Sequence, residues 1–404
     1  MASTNNYVGN IQSFNAPAEY GVKNRIINGG MDLDQRNVFT SKSTNVPLST
    51  TGYAYIADRW LSKGVVGTGS SPNSLTMVSQ VIDIATAGKT IPAELVAKKC
   101  MKINMNSGQY VFSGATSAPD AYSILYPVEG IMMTDFKWGT ANGKAITFSF
   151  WWSSTYVGDS EYFQNRFCVS FGNATNNCIY RKVITPVSQA EANSTWQKVV
   201  ITVPAPPVGS VWNTDTQVGM YINIGFVDTT SSATTINSWD QANSSYMVSD
   251  GIARADAMIS AEEFSGAFYL TQVQLEIGYS ASLFEFRPYF TELDFCRRYY
   301  EKSYDADTAP ATIVNDNMVQ YGWNSTNRPL YTVNYSVPKR TGASPVIYNP
   351  ITGTAGQMRN IDASTNVSAV LSYTGTNRFG VYNSGAGVAG QFIGFHYAVN
   401  ADYV

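Results

Sequence analysis

Charged side chains are scarce in this sequence, and histidine is almost absent. Lys, Arg, Asp and Glu make up 14% of the 404 residues, below the roughly 25% of an average globular domain. The net charge is −3 and no basic run occurs, whereas nucleic-acid-binding proteins concentrate Lys and Arg to neutralise phosphates. We therefore expect no nucleic-acid partner. A Ser-His-Asp triad would depend on His396 alone, and its apolar surroundings favour a packed or surface histidine instead.

Cysteine is also rare, and long apolar runs are missing. Cys100, Cys168, Cys178 and Cys296 show no C-x-x-C spacing, so a zinc site is not expected. Cys168 and Cys178 flank the turn GNATNN and could lie on adjacent strands. The start, MASTNNYVGN, lacks the basic and apolar regions of a signal peptide, which favours reduced thiols. No stretch approaches the roughly 18 apolar residues that span a bilayer, so we expect no membrane insertion.

The residues that are abundant favour β-structure. There are 26 Tyr and 32 Gly, and Thr, Ser and Asn are frequent, a composition typical of strands and turns. The segment VGMYINIGF (218–226) alternates apolar and small or polar residues, and TFSFWW (147–152) places Phe148, Phe150 and Trp152 on one face. Period-two alternation indicates strands that are buried on one side. The pattern predicts an all-β protein built around a jelly-roll β-sandwich.

The texture of the sequence divides the chain into four parts. Residues 1–24 are polar without periodicity and are predicted to be an arm or attachment segment. Residues 25–290 carry the alternation of the sandwich. Residues 291–304 are predicted to be a short connecting helix, and 305–404 a smaller C-terminal β domain.

The helix prediction comes from TELDFCRRYYEKSY. It places Leu293, Cys296 and Tyr300 at helical spacing, and Thr291 precedes them as a candidate N-cap.

Three segments together carry a family resemblance. NRIINGGMDLDQR (24–36) is followed by YAYIADRW (53–60), and LTQVQLEIGYSASLFEFRPY (270–289) leads into the predicted helix. In this order they resemble phage tail fibre, tailspike-tip and other virion appendage proteins, in which they frame a carbohydrate-binding-module-like jelly roll. The interior, 61–266, has no such likeness, and the end of the chain resembles the small β domain that often follows.

The resemblance implies a function and a setting. It implies a structural phage virion protein, a tail fibre or appendage subunit, assembled in the cytoplasm of the bacterial host. It further implies a homotrimer, attachment to other virion proteins through the arm, and contact with a host-surface glycan. Two alternatives stay open: a capsid or tail decoration protein without a receptor role, and a glycan depolymerase.

Two aromatic residues are candidates for a glycan platform. Trp151 shares a polar strand face with Thr147 and Ser149, and Tyr221 lies between Gly219 and Gly225. An outward aromatic ring beside small polar residues can stack on a sugar ring. The competing interpretation is an inter-subunit contact, since interface cores are also rich in Trp and Tyr.

Catalytic residues, cofactors and metal ions are not expected. A depolymerase would need paired carboxylates, and the candidates are Asp32, Asp34, Glu276 and Glu285. Asp32 and Asp34 could seat a hydrolytic pair or a calcium ion. Structural ion pairing is favoured for Glu276, Glu285 and Arg287.

Overall fold

The computed structural model describes residues 22–40, 42–45, 51–65, 76–106, 121–157, 167–175, 177–184, 193–228, 237–241, 265–322, 330–383 and 390–403. Within these ranges the protein is an all-β sandwich followed by one short helix and a further sheet, which confirms the predicted fold class. No helix in these ranges is long and apolar enough to cross a bilayer.

The sandwich is built from thirteen strands. In chain order they are β1 (Lys42–Asn45), β2 (Thr51–Ala57), β3 (Trp60–Val65), β4 (Thr76–Asp83), β5 (Lys99–Asn106), β6 (Ala121–Glu129), β7 (Ile146–Val157), β8 (Phe167–Asn173), β9 (Ile179–Ile184), β10 (Gln197–Val203), β11 (Val218–Asp228), β12 (Trp239–Asp240) and β13 (Ser265–Ile277). Two 3-10 helices, Ile84–Ala87 and Gly130–Phe136, lie between strands.

The strands form two antiparallel sheets that face each other. The first has the order β1-β4-β5-β13-β7-β10 and the second β12-β9-β8-β11-β6-β3-β2. Phe148, Phe150 and Trp152 on β7 face the core, as does every second residue of β11 from Met220 to Ile224. Aromatic rings bridge the layers: Trp152 lies edge to face with Phe167 at 4.8 Å. Each large side chain fully buried in this way contributes about 1.5–3 kcal/mol.

The N-terminal segment enters the core earlier than the sequence indicates. Asn24, placed at the end of the predicted arm, is buried. Its side chain accepts from the Leu275 backbone N–H at 3.0 Å and donates to the Val273 carbonyl at 3.1 Å. Asn24 therefore belongs to the sandwich, while residues 1–21 lie outside the described part of the chain. The boundaries of the four predicted parts stay a prediction.

The connecting helix is shorter than predicted and begins earlier. Helix α1 spans Tyr289–Arg297, whereas the sequence indicated 291–304. Thr291 is not the N-cap. Pro288, the residue before the first residue of the helix, occupies that position and makes no side-chain capping hydrogen bond. From Tyr300 the chain pairs with a C-terminal strand instead, which satisfies its backbone groups and competes with further helix.

The C-terminal part forms a third sheet with its own core. Its strands are β14 (Tyr300–Lys302), β15 (Val319–Gly322), β16 (Tyr331–Asn334), β17 (Val346–Tyr348), β18 (Gln357–Asn360), β19 (Thr365–Thr374), β20 (Arg378–Asn383) and β21 (Phe392–Asn400). The order is β14-β21-β18-β19-β20-β16, and β15 and β17 also pair with β21. Phe379, Phe395 and Tyr397 are among its buried side chains.

Buried ion pairs join the third sheet to the sandwich. The Arg59 guanidinium, at the turn between β2 and β3, binds the Asp402 carboxylate and lies 3.7 Å over the Tyr299 ring. Arg36 reaches both Asp58 and Asp402 at 3.5 Å. Asp58 and Arg59, although adjacent in sequence, thus bind different partners. Such pairs fix geometry more than they add net stability.

Candidate functional site: a tryptophan cleft

Three tryptophans from distant parts of the chain meet at one end of the sandwich. Trp138 and Trp212 lie edge to face with ring centroids 4.6 Å apart. Trp239 packs edge-on against Trp138 at 5.5 Å and against Trp212 at 5.6 Å. Edge-to-face pairs of this kind are worth about 0.5–1.5 kcal/mol beyond burial. The cluster is therefore a fixed aromatic surface.

A tight turn holds Trp138 in place. It follows the 3-10 helix Gly130–Phe136, and its indole N–H donates to the Lys144 carbonyl at 2.7 Å. Gly139 has φ +76°, and a Cβ at this position would lie 2.0 Å from the Ser210 carbonyl oxygen. Only glycine allows this close approach at positive φ. The loop that carries Trp212 is thereby held against the turn.

Trp212 and Trp239 are anchored by their indole N–H groups. Trp212 donates to the Ser210 hydroxyl at 2.9 Å, and Trp239 donates to the Pro204 carbonyl at 3.0 Å. Trp239 lies on β12, the edge strand of the second sheet. With the N–H groups bonded internally, the rings offer a ligand their faces and edges.

A cavity of about 430 Å³ opens beside Trp138 and the half-buried Trp212. It is also lined by Met133, Thr134, Lys137, Thr140, Asn142, Asn213 and Thr214. The exposed Lys137 ammonium and Asn142 amide make no hydrogen bond within the described residues. We call this cavity, with Trp138 and Trp212 in its wall and Trp239 packed behind them, the tryptophan cleft. Trp138 is only 7% exposed, so the half-buried Trp212 is the ring that a ligand can reach beside the free polar groups. That combination can stack on a sugar ring and bond its hydroxyls.

The predicted platform residue Trp151 is not open to solvent, so that expectation is wrong. Its side chain is 6% exposed and packs with Trp196, Tyr269 and Leu95. The segment between β4 and β5 covers this outer face of the first sheet. Gln272 fixes it there by accepting from the backbone N–H groups of residues 96 and 97 at 2.7 and 3.0 Å.

The second platform residue, Tyr221, is half-buried on the outer face of the second sheet. It lies between Pro127 on β6 and Gly172 on β8. Burial raises the pKa of its hydroxyl, and the nearby Tyr53 adds to this. Trp151 and Tyr221 lie on the outward faces of opposite sheets, so they do not form one platform. A glycan role for Tyr221 stays a prediction.

Asp32 and Asp34 line a separate cavity of about 370 Å³ between the sandwich and the third sheet. Asp34 is buried and accepts from the backbone N–H groups of Asn37 and Phe39 at 3.1 and 2.9 Å. Burial, followed by Asp58, raises its pKa to about 7. Burial and then Glu292 raise the pKa of Asp32. The Asp34 carboxylate thus caps a turn. Asp32 and Asp34 therefore do not form a pair of carboxylates that are both free for hydrolysis.

The other candidate acids are held in structural contacts. Glu276 accepts from Ser282 and lies 3.4 Å from Lys23. Glu285 lies 3.5 Å from Arg287, which also pairs with Glu292 at 3.1 Å. These contacts confirm the structural interpretation of Glu276, Glu285 and Arg287. In the described ranges no group of three or more His, Cys, Asp or Glu side chains could hold a metal ion, so a calcium site at Asp32 and Asp34 gains no support.

His396 and the cysteines are buried. His396 is stacked on Tyr304, with Nδ1 2.9 Å from the Ser303 hydroxyl and Nε2 2.9 Å from the Val314 carbonyl. Burial lowers its pKa. Both nitrogens are thus occupied without a carboxylate, so the packed histidine favoured by the sequence is confirmed. All four cysteines are buried.

The sequence contains little that would reveal the cleft. Its three tryptophans are separated by 74 and 27 positions and come from a 3-10 helix exit, a loop and a two-residue edge strand. None stands in an alternating pattern. The usable signal is local: each tryptophan lies within two positions of an Asn, Ser or Thr in a turn-rich segment.

Comparison with known proteins adds likenesses of fold only. No protein-family model and no curated protein sequence matches this sequence. Among solved structures, the chain is similar to a family 11 carbohydrate-binding module of a Clostridium thermocellum cellulosomal cellulase, at 13% identity and a TM-score of 0.26, covering 58% of this chain and 99% of that one. It is also similar to the enzymatically active domain of tailspike protein 4 of bacteriophage CBA120, at 11% identity and a TM-score of 0.26. That match covers 63% of this chain and 21% of the tailspike chain.

A third likeness is to an adhesin domain of Lys-gingipain from Porphyromonas gingivalis, at 12% identity and a TM-score of 0.22, covering 60% of this chain and 99% of that one. At these values the likenesses carry no argument about function.

Proposed function

We propose that this chain is a structural phage virion protein, a tail fibre or appendage subunit, which contributes to host-surface attachment by binding glycan at the tryptophan cleft. The observation that carries the binding role is the pairing of Trp138 and the half-buried Trp212 with unbonded polar groups around one cavity. The virion setting rests on the sequence resemblance.

The chemistry of the cleft suits a saccharide. A sugar ring has an apolar C–H face and a rim of hydroxyls, so it needs an aromatic plane and donors or acceptors at its edge. Trp212 supplies the plane, and Asn142 and Lys137 supply the edge groups. A contact of this kind contributes about 1 kcal/mol, or roughly fivefold in Kd. Several copies on one particle would raise the avidity by orders of magnitude.

The test compares Trp212→Ala and Asn142→Ala with the wild-type chain. Binding to a panel of purified lipopolysaccharide and capsular polysaccharides is measured by biolayer interferometry. We expect each variant to weaken binding about fivefold. Asn142 makes no described side-chain bond, so its removal leaves the fold intact. Phe392→Ala is the matched control, because Phe392 is a half-exposed aromatic on β21, in the third sheet.

Two outcomes would contradict the proposal. If no polysaccharide binds the wild-type chain, a decoration protein without a receptor role becomes the better interpretation. If a polysaccharide is shortened, and Asp32→Asn with Asp34→Asn abolishes the shortening, the chain is a depolymerase. The proposal includes no catalytic step and no cofactor, so intact polysaccharide is expected after prolonged incubation.

A further inference from the structure

Five large apolar side chains are exposed between the end of β13 and the first turn of α1. Tyr279 is 79% exposed, Leu283 84%, Phe286 67%, Tyr289 54% and Phe290 70%. We call these five residues the aromatic strip. They occur within twelve consecutive positions, whereas apolar residues on a monomer surface are usually scattered singly. A concentration of exposed apolar side chains in one short segment is typical of an interaction site.

The strip is exposed although its backbone is firmly held. Ser282 donates its backbone N–H to Glu276 at 2.9 Å, and the backbone N–H of Glu285 donates to the Gln274 side chain at 2.7 Å. Arg287 donates to the Ile26 carbonyl at 3.1 Å. The polar side chains thus face inward and the apolar ones outward. Rotation of the segment to bury the strip would break these bonds.

The area of the strip matches what a stable interface needs. A large aromatic side chain buries about 150–250 Å² when it is fully covered. At the exposures given above, the four aromatics and Leu283 present on the order of 600–700 Å². A standard interface buries about 800 Å² per partner. The strip is therefore large enough to form the core of an association surface.

We infer that the aromatic strip is the surface through which copies of this chain assemble. Charge does not oppose the approach of an identical copy, because Glu276 pairs with Lys23 and Arg287 pairs with both Glu285 and Glu292. Interface cores are enriched in aromatic residues and depleted of charge, which is the composition of the strip.

A recess beside the strip adds to this argument. Phe286 and Tyr289 form part of the wall of the 370 Å³ cavity that also contains Asp32. Interfaces are dominated by a few anchors that fill pockets on the partner. A protruding side chain on one copy can fill the recess on the next copy, which gives a head-to-tail interface. Such an interface closes into a ring when the rotation between neighbouring copies completes a full turn.

Light scattering of the full-length chain at micromolar concentration tests the inference. The wild-type protein should have about three times the chain mass of 44.1 kDa, and Leu283→Asp with Phe286→Asp should reduce this to one chain. Tyr279→Ser with Phe290→Ser is a milder second variant, since both side chains are largely exposed. The matched control, Val208→Asp with Ile313→Asp, alters residues that are 71% and 64% exposed outside the strip, and should keep the wild-type mass.

Circular dichroism and thermal unfolding check that each variant is folded. A wild-type chain that is monomeric at these concentrations overturns the inference. An assembly that survives both strip variants also overturns it, and if removal of residues 1–21 then gives a monomer, the arm carries assembly instead. Loss of assembly in the Val208 and Ile313 control would likewise show that the strip has no special role.

Discussion

Asp402→Asn should strongly destabilise the contact between the sandwich and the third sheet. The side chains of Arg59 and Asp402 are 1% and 0% exposed, so the substitution leaves a buried guanidinium without its carboxylate. Removing one partner of a buried pair costs about 3–5 kcal/mol. The Pro127 carbonyl and the Tyr299 ring still contact Arg59. We therefore expect a loss of about 3 kcal/mol in the free energy of unfolding.

Urea unfolding, followed by far-UV circular dichroism and tryptophan fluorescence, measures this loss. Asp294→Asn is the control, because Asp294 pairs with Arg297 at 3.3 Å on the exposed face of α1. Exposed helix pairs are worth about 0.3–0.5 kcal/mol, so this variant should unfold close to the wild-type midpoint. All variants are compared at one protein concentration, since assembly makes apparent stability depend on concentration.

A double substitution distinguishes the free-energy cost of an unpaired buried charge from the cost of lost packing. Arg59→Met with Asp402→Leu removes both charges and retains apolar volume, and such replacements are often neutral or stabilising. We expect it to recover most of the stability lost in Asp402→Asn. If Asp402→Asn costs less than about 1 kcal/mol, the Arg59 charge is solvated or otherwise compensated, and the reasoning from burial is refuted.

Two further predictions concern a buried carboxyl and a glycine. Because the pKa of Asp34 is raised from 3.8 to about 7, the folded state binds this proton more tightly than the unfolded chain. The free energy of unfolding should therefore fall as pH rises from about 4 to 7. Urea titrations at several pH values should show a flatter dependence for Asp34→Asn than for the wild type. Equal slopes for the two proteins would contradict this prediction. Gly139 and Gly209 both have positive φ, but only at Gly139 would a Cβ meet another atom, the Ser210 oxygen. Gly139→Ala should lower the free energy of unfolding by at least about 1 kcal/mol more than Gly209→Ala does. It should also weaken glycan binding. Equal losses of stability in the two variants would show that the loop contact at Gly139 is unimportant.

The core of the fold could be predicted from the sequence because its pattern is local. The alternation from Val218 to Ile224 and from Phe148 to Trp152 places the larger apolar side chains on one face, and these are buried in the structure. Period two is a direct consequence of strand geometry. The order of the strands in each sheet does not follow from this pattern, because it depends on pairings between distant segments.

The ends of elements were harder to predict than their presence. Leu293 and Cys296 do lie on a helix, but Tyr300 has the same spacing and lies on β14. Pairing of Tyr300 with Asn400 decides this, and the partner is a hundred positions away.

The exposure of Trp151 was misjudged because alternation does not show what covers an outward face. Trp151 does point away from the main core, as its spacing indicates, yet the segment between β4 and β5 folds over it and forms a second small core with Trp196. Trp138 and Trp212 show no alternation, but the close contact between Gly139 and Ser210 brings their loops together. An aromatic residue can serve as a binding surface only when its polar neighbours are free and part of its ring stays open to solvent. Both conditions depend on non-local contacts, so they are properties of the folded chain and not of any single segment.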